Sequence, residues 1–212
     1  MKSMGRIVSM PVAAGAWAAF ASLLLVAGPA AATGSAQAGE AKAMVCTACH
    51  GPEGNSLNPI WPSLAGQNAA YLQRTLRAFK AGERSDPLMS AQAAVLGDQD
   101  IDDLAAYFAS RTRNPSATQP QQGSEGERLY RGGNKDTGVT ACAACHGPHG
   151  SGNAPAGYPA LGGQQAAYVA TQLRAYRAGQ RSSDLNQMMR NTSARLTDAE
   201  IDAVASYIQG LR

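Results

Sequence analysis

The second half of this 212-residue chain repeats the first half. Three segments return in the same order: 46–52 as 142–148, 62–67 as 159–164, and 96–101 as 196–201. The separation between matched residues grows only from 96 to 100, so the two copies differ by short loop insertions. Two units are too few for a solenoid of stacked repeats. The pattern therefore predicts two copies of one small domain.

A polar segment separates the two copies. Residues 114–122 include Pro115 and Pro120 and show no apolar periodicity, which is typical of a linker. The two domains are therefore expected at residues 33–113 and 123–212.

Apolar residues within each copy recur at the spacing of helix faces. They fall at Tyr71, Leu72, Leu76 and Phe79, at Ile101, Leu104, Ala105 and Phe108, and at Ile201, Val204, Ala205 and Ile208. This spacing predicts helices. Thr197 and Glu200 have the spacing of a capping box at the start of the last helix, and Gly82 and Gly179 stand where the middle helices would end. The expected fold class is all-α.

Residues 1–32 have the features of an export signal. Lys2 and Arg6 precede an apolar run over 12–28, and small residues follow it. We expect cleavage near residue 32, with residue 38 as a later alternative. An uncleaved membrane anchor is the competing interpretation, because the apolar run approaches the length of a membrane span. The rest of the sequence has no comparable run, so a soluble protein of the periplasm is expected.

The charge of the chain argues against binding to nucleic acid. Loss of Lys2 and Arg6 would lower the formal net charge from +3 to +1. The sequence contains no cluster of lysine and arginine interleaved with aromatic residues. Any membrane association is expected to be peripheral.

Each copy contains the pattern Cys-x-x-Cys-His, at 46–50 and at 142–146. On a helix the first, fourth and fifth positions share one face, so two thiols can reach the vinyl groups of a porphyrin while the imidazole faces its iron. This pattern is the attachment signature of c-type haem. The cysteines predicted to carry two haems are Cys46, Cys49, Cys142 and Cys145, which are all the cysteines in the chain.

Two other kinds of site use paired cysteines. A zinc site would leave the histidine after both pairs unexplained, and a redox-active dithiol would need a βαβ setting that the sequence lacks. Export also favours thioether-linked cysteines, because free dithiols oxidise outside the cytoplasm. We therefore favour covalent haem over zinc and over dithiol chemistry.

His50 and His146 are the candidate fifth ligands of the two haem irons. The third histidine of the chain, His149, lies only three residues beyond His146 and cannot easily reach the opposite face of the haem. His149 is therefore expected to lie in an exposed loop.

Methionine is the remaining candidate for the sixth ligand of each iron. Met44 lies beside Cys46 and cannot reach the far side of the ring, which leaves Met89 for the first haem. The offset of 100 pairs Met89 with Met189, and Met188 is the alternative ligand of the second haem. Histidine and methionine together close both axial positions and raise the reduction potential, which argues against oxygen or peroxide chemistry.

Through these motifs the sequence resembles the cytochrome c4 family, dihaem cytochromes c of the bacterial periplasm. The shared features are the two haem motifs, the Pro-x-Leu-x-Gly-Gln segments at 62–67 and 159–164, the methionine loops and the closing helix at 100–108. Gly97 departs from the Ser or Thr that is usual in the family before that helix, which weakens a cap.

The resemblance implies two tandem class I cytochrome c domains related by pseudo-twofold symmetry. It also implies that Pro62 and Pro159 offer backbone carbonyls to the outer ring nitrogens of the ligand histidines, which fixes their tautomer.

The function implied by this resemblance is electron transfer rather than catalysis. The expected partners are a cytochrome bc complex or a periplasmic dehydrogenase as donor, and a terminal oxidase, often of the cbb type, as acceptor. A cytochrome subunit of a flavin-dependent sulfide dehydrogenase is the alternative. A dihaem enzyme, such as a peroxidase or thiosulfate dehydrogenase, is a third hypothesis that the methionine ligands oppose.

Overall fold

The computed structural model describes residues 34–119 and 121–212, so the predicted signal segment 1–32 lies outside the described residues. Within those two ranges the chain is helical, and its only β pairing consists of two isolated bridges, Asn134 with Val139 and Asn153 with Tyr158. None of the helices in these ranges is long and apolar enough to cross a membrane. The predicted all-α class is confirmed.

The first half contains five α-helices. They are α1 (Ala36–Lys42), α2 (Met44–His50), α3 (Ala69–Lys80), α4 (Pro87–Ala94) and α5 (Asp98–Ser110), with a 3-10 turn at Pro52–Gly54. The second half repeats this order with α6 (Glu125–Gly132), α7 (Ala143–His146), α8 (Ala166–Arg177), α9 (Met188–Ser193) and α10 (Asp198–Gly210), and its 3-10 turn is Leu185–Gln187.

The helix ends agree with the signals in the sequence. Thr197 Oγ1 accepts from Glu200 N at 3.2 Å, and Thr197 N donates to Glu200 Oε2 at 2.8 Å, so the predicted capping box of α10 is confirmed. The predicted stops at Gly82 and Gly179 are also confirmed. Both glycines lie just beyond α3 and α8, with φ of 76° and 70°, a conformation that other residues adopt only at a cost.

In each half the first and last helices cross at a glycine. A Cβ added to Gly39 of α1 would stand 2.1 Å from the carbonyl oxygen of Asp103 on α5. The same atom on Gly126 of α6 would stand 2.2 Å from the carbonyl oxygen of Ala203 on α10. Only glycine permits helix backbones to approach this closely, so these two residues fix where the helices cross.

Each half has its own apolar core. The first half has a cluster of six buried residues: Ala43, Leu72, Leu104, Ala105, Tyr107 and Phe108. The second half has a cluster of twelve: Leu129, Tyr130, Val139, Val169, Ala170, Leu196, Ile201, Val204, Ala205, Tyr207, Ile208 and Leu211. The second core is therefore the larger of the two.

A loop present only in the second half accounts for part of this difference. Residues 133–142 connect α6 to α7, whereas Ala43 alone separates α1 from α2. Asn134 and Val139 exchange two backbone hydrogen bonds of 2.9 Å, which closes the loop, and the Asn134 amide donates to Glu200 Oε1 at 2.8 Å. Val139 is thereby held in the core.

Candidate functional site

The two Cys-x-x-Cys-His motifs lie on helical backbone, as predicted. In the first half α2 contains Cys46, Cys49 and His50. In the second half α7 contains Cys145 and its histidine, and Cys142, the N-cap residue, also has right-handed helical angles. Each motif therefore presents its two sulfur atoms and its imidazole from one face.

Both motif histidines are buried and hydrogen-bonded at one ring nitrogen. His50 Nδ1 lies 2.8 Å from the carbonyl oxygen of Pro62, and His146 Nδ1 lies 2.9 Å from that of Pro159. A carbonyl oxygen only accepts, so Nδ1 carries the proton and Nε2 keeps its lone pair. Burial lowers the pKa of both imidazoles, which favours the neutral form that binds a metal. The prolyl contacts implied by the resemblance are thus present in both halves.

The first cysteine of each motif lies in surroundings that favour a protonated thiol. Burial raises the pKa of the Cys46 thiol, and it raises the pKa of the Cys142 thiol to about 11. A raised thiol pKa is the opposite of what dithiol exchange requires. No group of three His, Cys, Asp or Glu side chains suited to a metal ion occurs among residues 34–119 and 121–212.

The candidate methionines lie at the starts of two matching helices. Met89 is in the first turn of α4, where Asp86 Oδ1 accepts from its backbone N–H at 2.9 Å, and Met189 is in the first turn of α9. Both side chains are half-buried. The alternative ligand, Met188, has its sulfur 3.3 Å from the hydroxyl of Tyr158, which donates to it.

The two residues that the sequence excluded as iron ligands, Met44 and His149, both lie at the surface. Met44 is largely exposed on α2. His149 is exposed, as predicted, and its Nδ1 lies 2.8 Å from the carbonyl oxygen of Arg212.

Two arginines between the halves form a positively charged cluster. Arg84 Nη2 donates to Tyr168 OH at 3.2 Å, and Arg181 Nη2 donates to Tyr71 OH at 3.0 Å. Both guanidiniums also donate to the side-chain oxygen of Gln172. Within the described part of the chain neither forms an ion pair with a carboxylate, and Arg181 Nε has no partner although the residue is buried.

The arginine cluster also changes the pKa of a neighbouring tyrosine, Tyr71. Burial raises the pKa of Tyr71, but the positive charges of Arg181 and Arg84 outweigh burial and lower that pKa to about 7. Buried guanidiniums with a spare donor suit carboxylates. A haem carries two propionates, so this cluster fits the group that the cysteine motifs imply.

Apolar side chains next to the predicted ligands provide a second test of fit. Leu57 and Ile60 lie in the segment between His50 and Pro62, and Leu88 adjoins Met89; all three apolar side chains are strongly exposed in the polypeptide alone. Exposed apolar surface of this kind suits contact with a large apolar group.

Sequence reasoning missed a contact between the halves that lies beside both histidines. Gln67 hydrogen-bonds to the backbone N–H and carbonyl of Ala160, and Gln164 does the same to Ser63. The repeat marked both glutamines as matching residues, but nothing in it indicated that each would contact the other copy.

The family model described as Cytochrome c matches residues 34–112 and 124–212. Cytochrome c4 of Thiocapsa roseopersicina is 51% identical to this chain and covers 84% of it, with 93% of the relative aligned. The chain belongs to the cytochrome c4 family. The crystal structure of reduced recombinant cytochrome c4 from Pseudomonas stutzeri has a TM-score of 0.81 and 44% identity, over 84% of this chain and all of that one.

A related protein has a name that states its role. The thiosulfate dehydrogenase electron acceptor of Stutzerimonas stutzeri (strain A1501) is 37% identical, over 78% of this chain and 78% of its own. As a cytochrome c4 family member, this chain is a dihaem electron-transfer protein rather than an enzyme. Its two Cys-x-x-Cys-His motifs carry two covalently bound haem c groups, and its two halves are tandem cytochrome c domains.

Proposed function

We propose that this cytochrome is exported to the periplasm and carries electrons between respiratory partners there. The donor is a cytochrome bc complex or a periplasmic dehydrogenase, and the acceptor is a terminal oxidase of the cbb type. The basic and apolar character of residues 1–32 supports export, and any contact with the membrane is peripheral.

The proposed axial ligands are His50 with Met89 for the first haem and His146 with Met189 for the second. The observation that carries the histidine ligands is the bond from each Nδ1–H to a prolyl carbonyl, because it leaves Nε2 free to bind iron. The methionine ligands are supported by the repeat and by their matching places at the starts of α4 and α9. The haem supplies a one-electron couple. With these ligands both axial positions of each bound haem would be closed, which would suit electron transfer and exclude substrates from the iron.

Register favours Met189 over Met188 as the second methionine ligand. Counting back from the matched leucines Leu96 and Leu196, Met89 corresponds to Met189 and Leu88 to Met188. The Met188 sulfur is already engaged by the Tyr158 hydroxyl. Met188 therefore remains the fallback.

Arg84 and Arg181 are the residues that would hold haem propionates. Their guanidiniums are buried between the halves and lack a carboxylate partner among the described residues. Pairing with propionates would satisfy this charge and would explain the spare Nε of Arg181.

The proposed mature chain consists of domains at 33–113 and 123–212 with a linker at 114–122. Ser35 supports cleavage near residue 32, because its side chain caps α1 and its backbone N–H donates to Asp103 Oδ1 at 2.8 Å. Cleavage at residue 38 would remove this cap and the first turn of the helix.

A cytochrome subunit of a periplasmic dehydrogenase is the second candidate function. The 37% identical thiosulfate dehydrogenase electron acceptor favours a dedicated dehydrogenase partner over a carrier with no fixed partner. A flavoprotein that co-purifies with native material at fixed stoichiometry would identify the chain as a subunit, as in a sulfide dehydrogenase. A free monomer would identify a diffusible carrier.

The ligand assignment is tested by replacing the two neighbouring methionines one at a time. Met189→Ala should lower the potential of one haem and open its iron, so that carbon monoxide binds to half of the haem in the reduced protein. Met89→Ala should do the same to the other half. Optical redox titration and carbon monoxide difference spectra measure both effects.

Met188→Ala is the matched control and should leave both haems closed. If Met188→Ala opens an iron and Met189→Ala does not, Met188 is the ligand. If the unaltered protein binds carbon monoxide at both haems, the closed sites and the proposed carrier function are wrong.

A further inference from the structure

We propose that Gln67 and Gln164 are positioning residues that act across the boundary between the halves, each supporting the iron-ligating histidine of the opposite half. This inference rests on the proposed ligand roles of His50 and His146.

In the first half, one peptide group joins the histidine to the opposite domain. His50 Nδ1 donates to the carbonyl oxygen of Pro62 at 2.8 Å. The N–H of the same peptide group belongs to Ser63, and it donates to Gln164 Oε1 at 2.8 Å. Hydrogen bonds at both ends of one peptide group polarise it and strengthen each other. The oxygen of Gln164 therefore makes the Pro62 carbonyl a better acceptor for His50.

The second half has the reciprocal arrangement. His146 Nδ1 donates to Pro159 O at 2.9 Å, and the N–H of that peptide group, from Ala160, donates to Gln67 Oε1 at 2.7 Å. The two connections thus cross between the halves. The haem of each half is supported by a side chain that the other half contributes.

Each glutamine is held with its oxygen toward this peptide group, and the oxygen also accepts from the backbone N–H of the next residue, Asn68 after Gln67 and Gln165 after Gln164. Gln164 Nε2 donates to Ser63 O and Gln67 Nε2 donates to Ala160 O, both at 2.9 Å. These bonds fix which end of each amide faces the N–H. Both glutamines, Ser63 and Ala160 are buried, so water cannot replace the missing partner of an altered glutamine without cost.

The direction of the effect follows from ligand chemistry. A stronger acceptor at Nδ1 raises the basicity of the imidazole and its donation to the metal. Greater donation stabilises the ferric state, which lowers the potential. Removal of the glutamine oxygen should therefore raise the potential of the haem in the opposite half.

Neighbouring residues in the chain offer matched controls. Asn68 Nδ2 donates to Tyr158 O at 2.6 Å, and Gln165 Nε2 donates to Ser56 O at 2.8 Å. Both bonds also cross between the halves, but neither reaches the peptide group that supports a histidine. Replacing either side chain perturbs the same interface but leaves in place its backbone N–H, which donates to the neighbouring glutamine oxygen.

The experiment compares Gln164→Met, Gln67→Met, Gln165→Met and Asn68→Leu in the full holoprotein. The two potentials are followed by redox titration with NMR detection, in which ring methyl signals of each haem are assigned through contacts to its own attachment motif. Gln164→Met should raise the potential of the His50 haem and shift its oxidation equilibrium by less than about twofold, because one hydrogen bond on a peptide group strengthens the other by only about 10–30%. The potential of the His146 haem should shift less.

Gln67→Met should give the mirror result, with the larger shift at the His146 haem, and it provides an independent test if Gln164→Met does not fold. The control variants Gln165→Met and Asn68→Leu should shift the potential of each haem by less. The proposal is overturned if each glutamine variant shifts mainly the haem of its own half, or if it moves the potentials no more than its control does. The unaltered protein reports separately on the proposed function, because two closed low-spin haems must be seen there first.

Discussion

The two halves make the same helix crossing by different chemistry. At the crossing of α1 with α5, Lys42 Nζ lies 2.7 Å from Asp103 Oδ2. At the crossing of α6 with α10, counting from the shared glycines, these positions are Leu129 and Ala203. A charged pair in the first half is thus replaced by two apolar residues in the second.

The difference extends to the residues around the crossing. Asp103 also accepts from Ser35 N at 2.8 Å and from Gln99 Nε2 at 2.9 Å, so a network of polar groups holds α1 in place. In the second half the corresponding support is the larger apolar core, which includes Tyr130. The glycine and the haem motif are common to both halves. This contrast shows that close approach of the helices is the shared requirement, while either charge or apolar burial can stabilise it.

The largest expected effect on stability comes from replacing the glycine that both halves have at their helix crossing. Gly126→Ala and Gly39→Ala should each lower the free energy of unfolding by about 3 kcal/mol, because the new methyl group meets helix backbone. Denaturant unfolding followed at the haems measures the loss.

Gly132→Ala is the control for this prediction, because a Cβ at Gly132 of α6 meets no atom within 4 Å. It should stabilise by about 0.5–1 kcal/mol through helix propensity. Equal effects at Gly126 and Gly132 would show that the crossing does not depend on close approach.

A smaller effect should separate the halves by their response to acid. Hydrogen bonds from Lys42, Ser35 and Gln99 lower the pKa of Asp103 to about 2. A carboxylate with a lowered pKa adds stability above its unfolded pKa, near 4, and this stability is lost as the pH falls through about 2. The double variant Lys42→Leu and Asp103→Ala, which copies the second half, should therefore show a weaker decline in Tm between pH 4 and pH 2.

Thermal unfolding at several pH values tests this expectation. Asp136→Ala is its control, since the Lys135–Asp136 pair is highly exposed and should contribute little. An unchanged acid response in the double variant would mean that the Lys42–Asp103 contact does not distinguish the halves.

The smallest expected effect concerns the caps of α5 and α10. Gly97 donates its N–H to Asp100 Oδ2 at 2.9 Å but has no side chain to accept in return, whereas Thr197 completes the exchange with Glu200. Gly97→Thr should stabilise by a few tenths of a kcal/mol, and Thr197→Gly should destabilise by about as much. Chemical denaturation of both variants tests this symmetry. A loss of stability in Gly97→Thr would contradict it.

The sequence predicted the elements that have an apolar stripe or a fixed motif. Helices α3, α5 and α10, the attachment motifs and the cap at Thr197 all have such local signals. It did not predict α1 or α6. These helices approach their partners through a glycine, and α1, with the sequence AQAGEAK, has no large apolar side chain to show a period.

The contacts of Gln67 and Gln164 with the opposite half could not be predicted from the sequence, for a different reason. A repeat identifies residues that occupy equivalent places, so it pairs Gln67 with Gln164. The contacts instead join Gln67 to Ala160 and Gln164 to Ser63. Equivalence within a duplicated chain carries no information about how its copies pack against each other.

The contacts of Gln67 and Gln164 between the halves also affect the order in which the two halves can finish folding. Chains are made from the N-terminal end, and their domains generally fold in that order. Ser63 and Gln67 must wait for partners that lie 101 and 93 residues further along the chain. Until those residues emerge, water must satisfy the backbone of Ser63. The first half therefore reaches its finished state only when the second half has folded, and a chain cut short before residue 160 would present an open face to quality-control proteases.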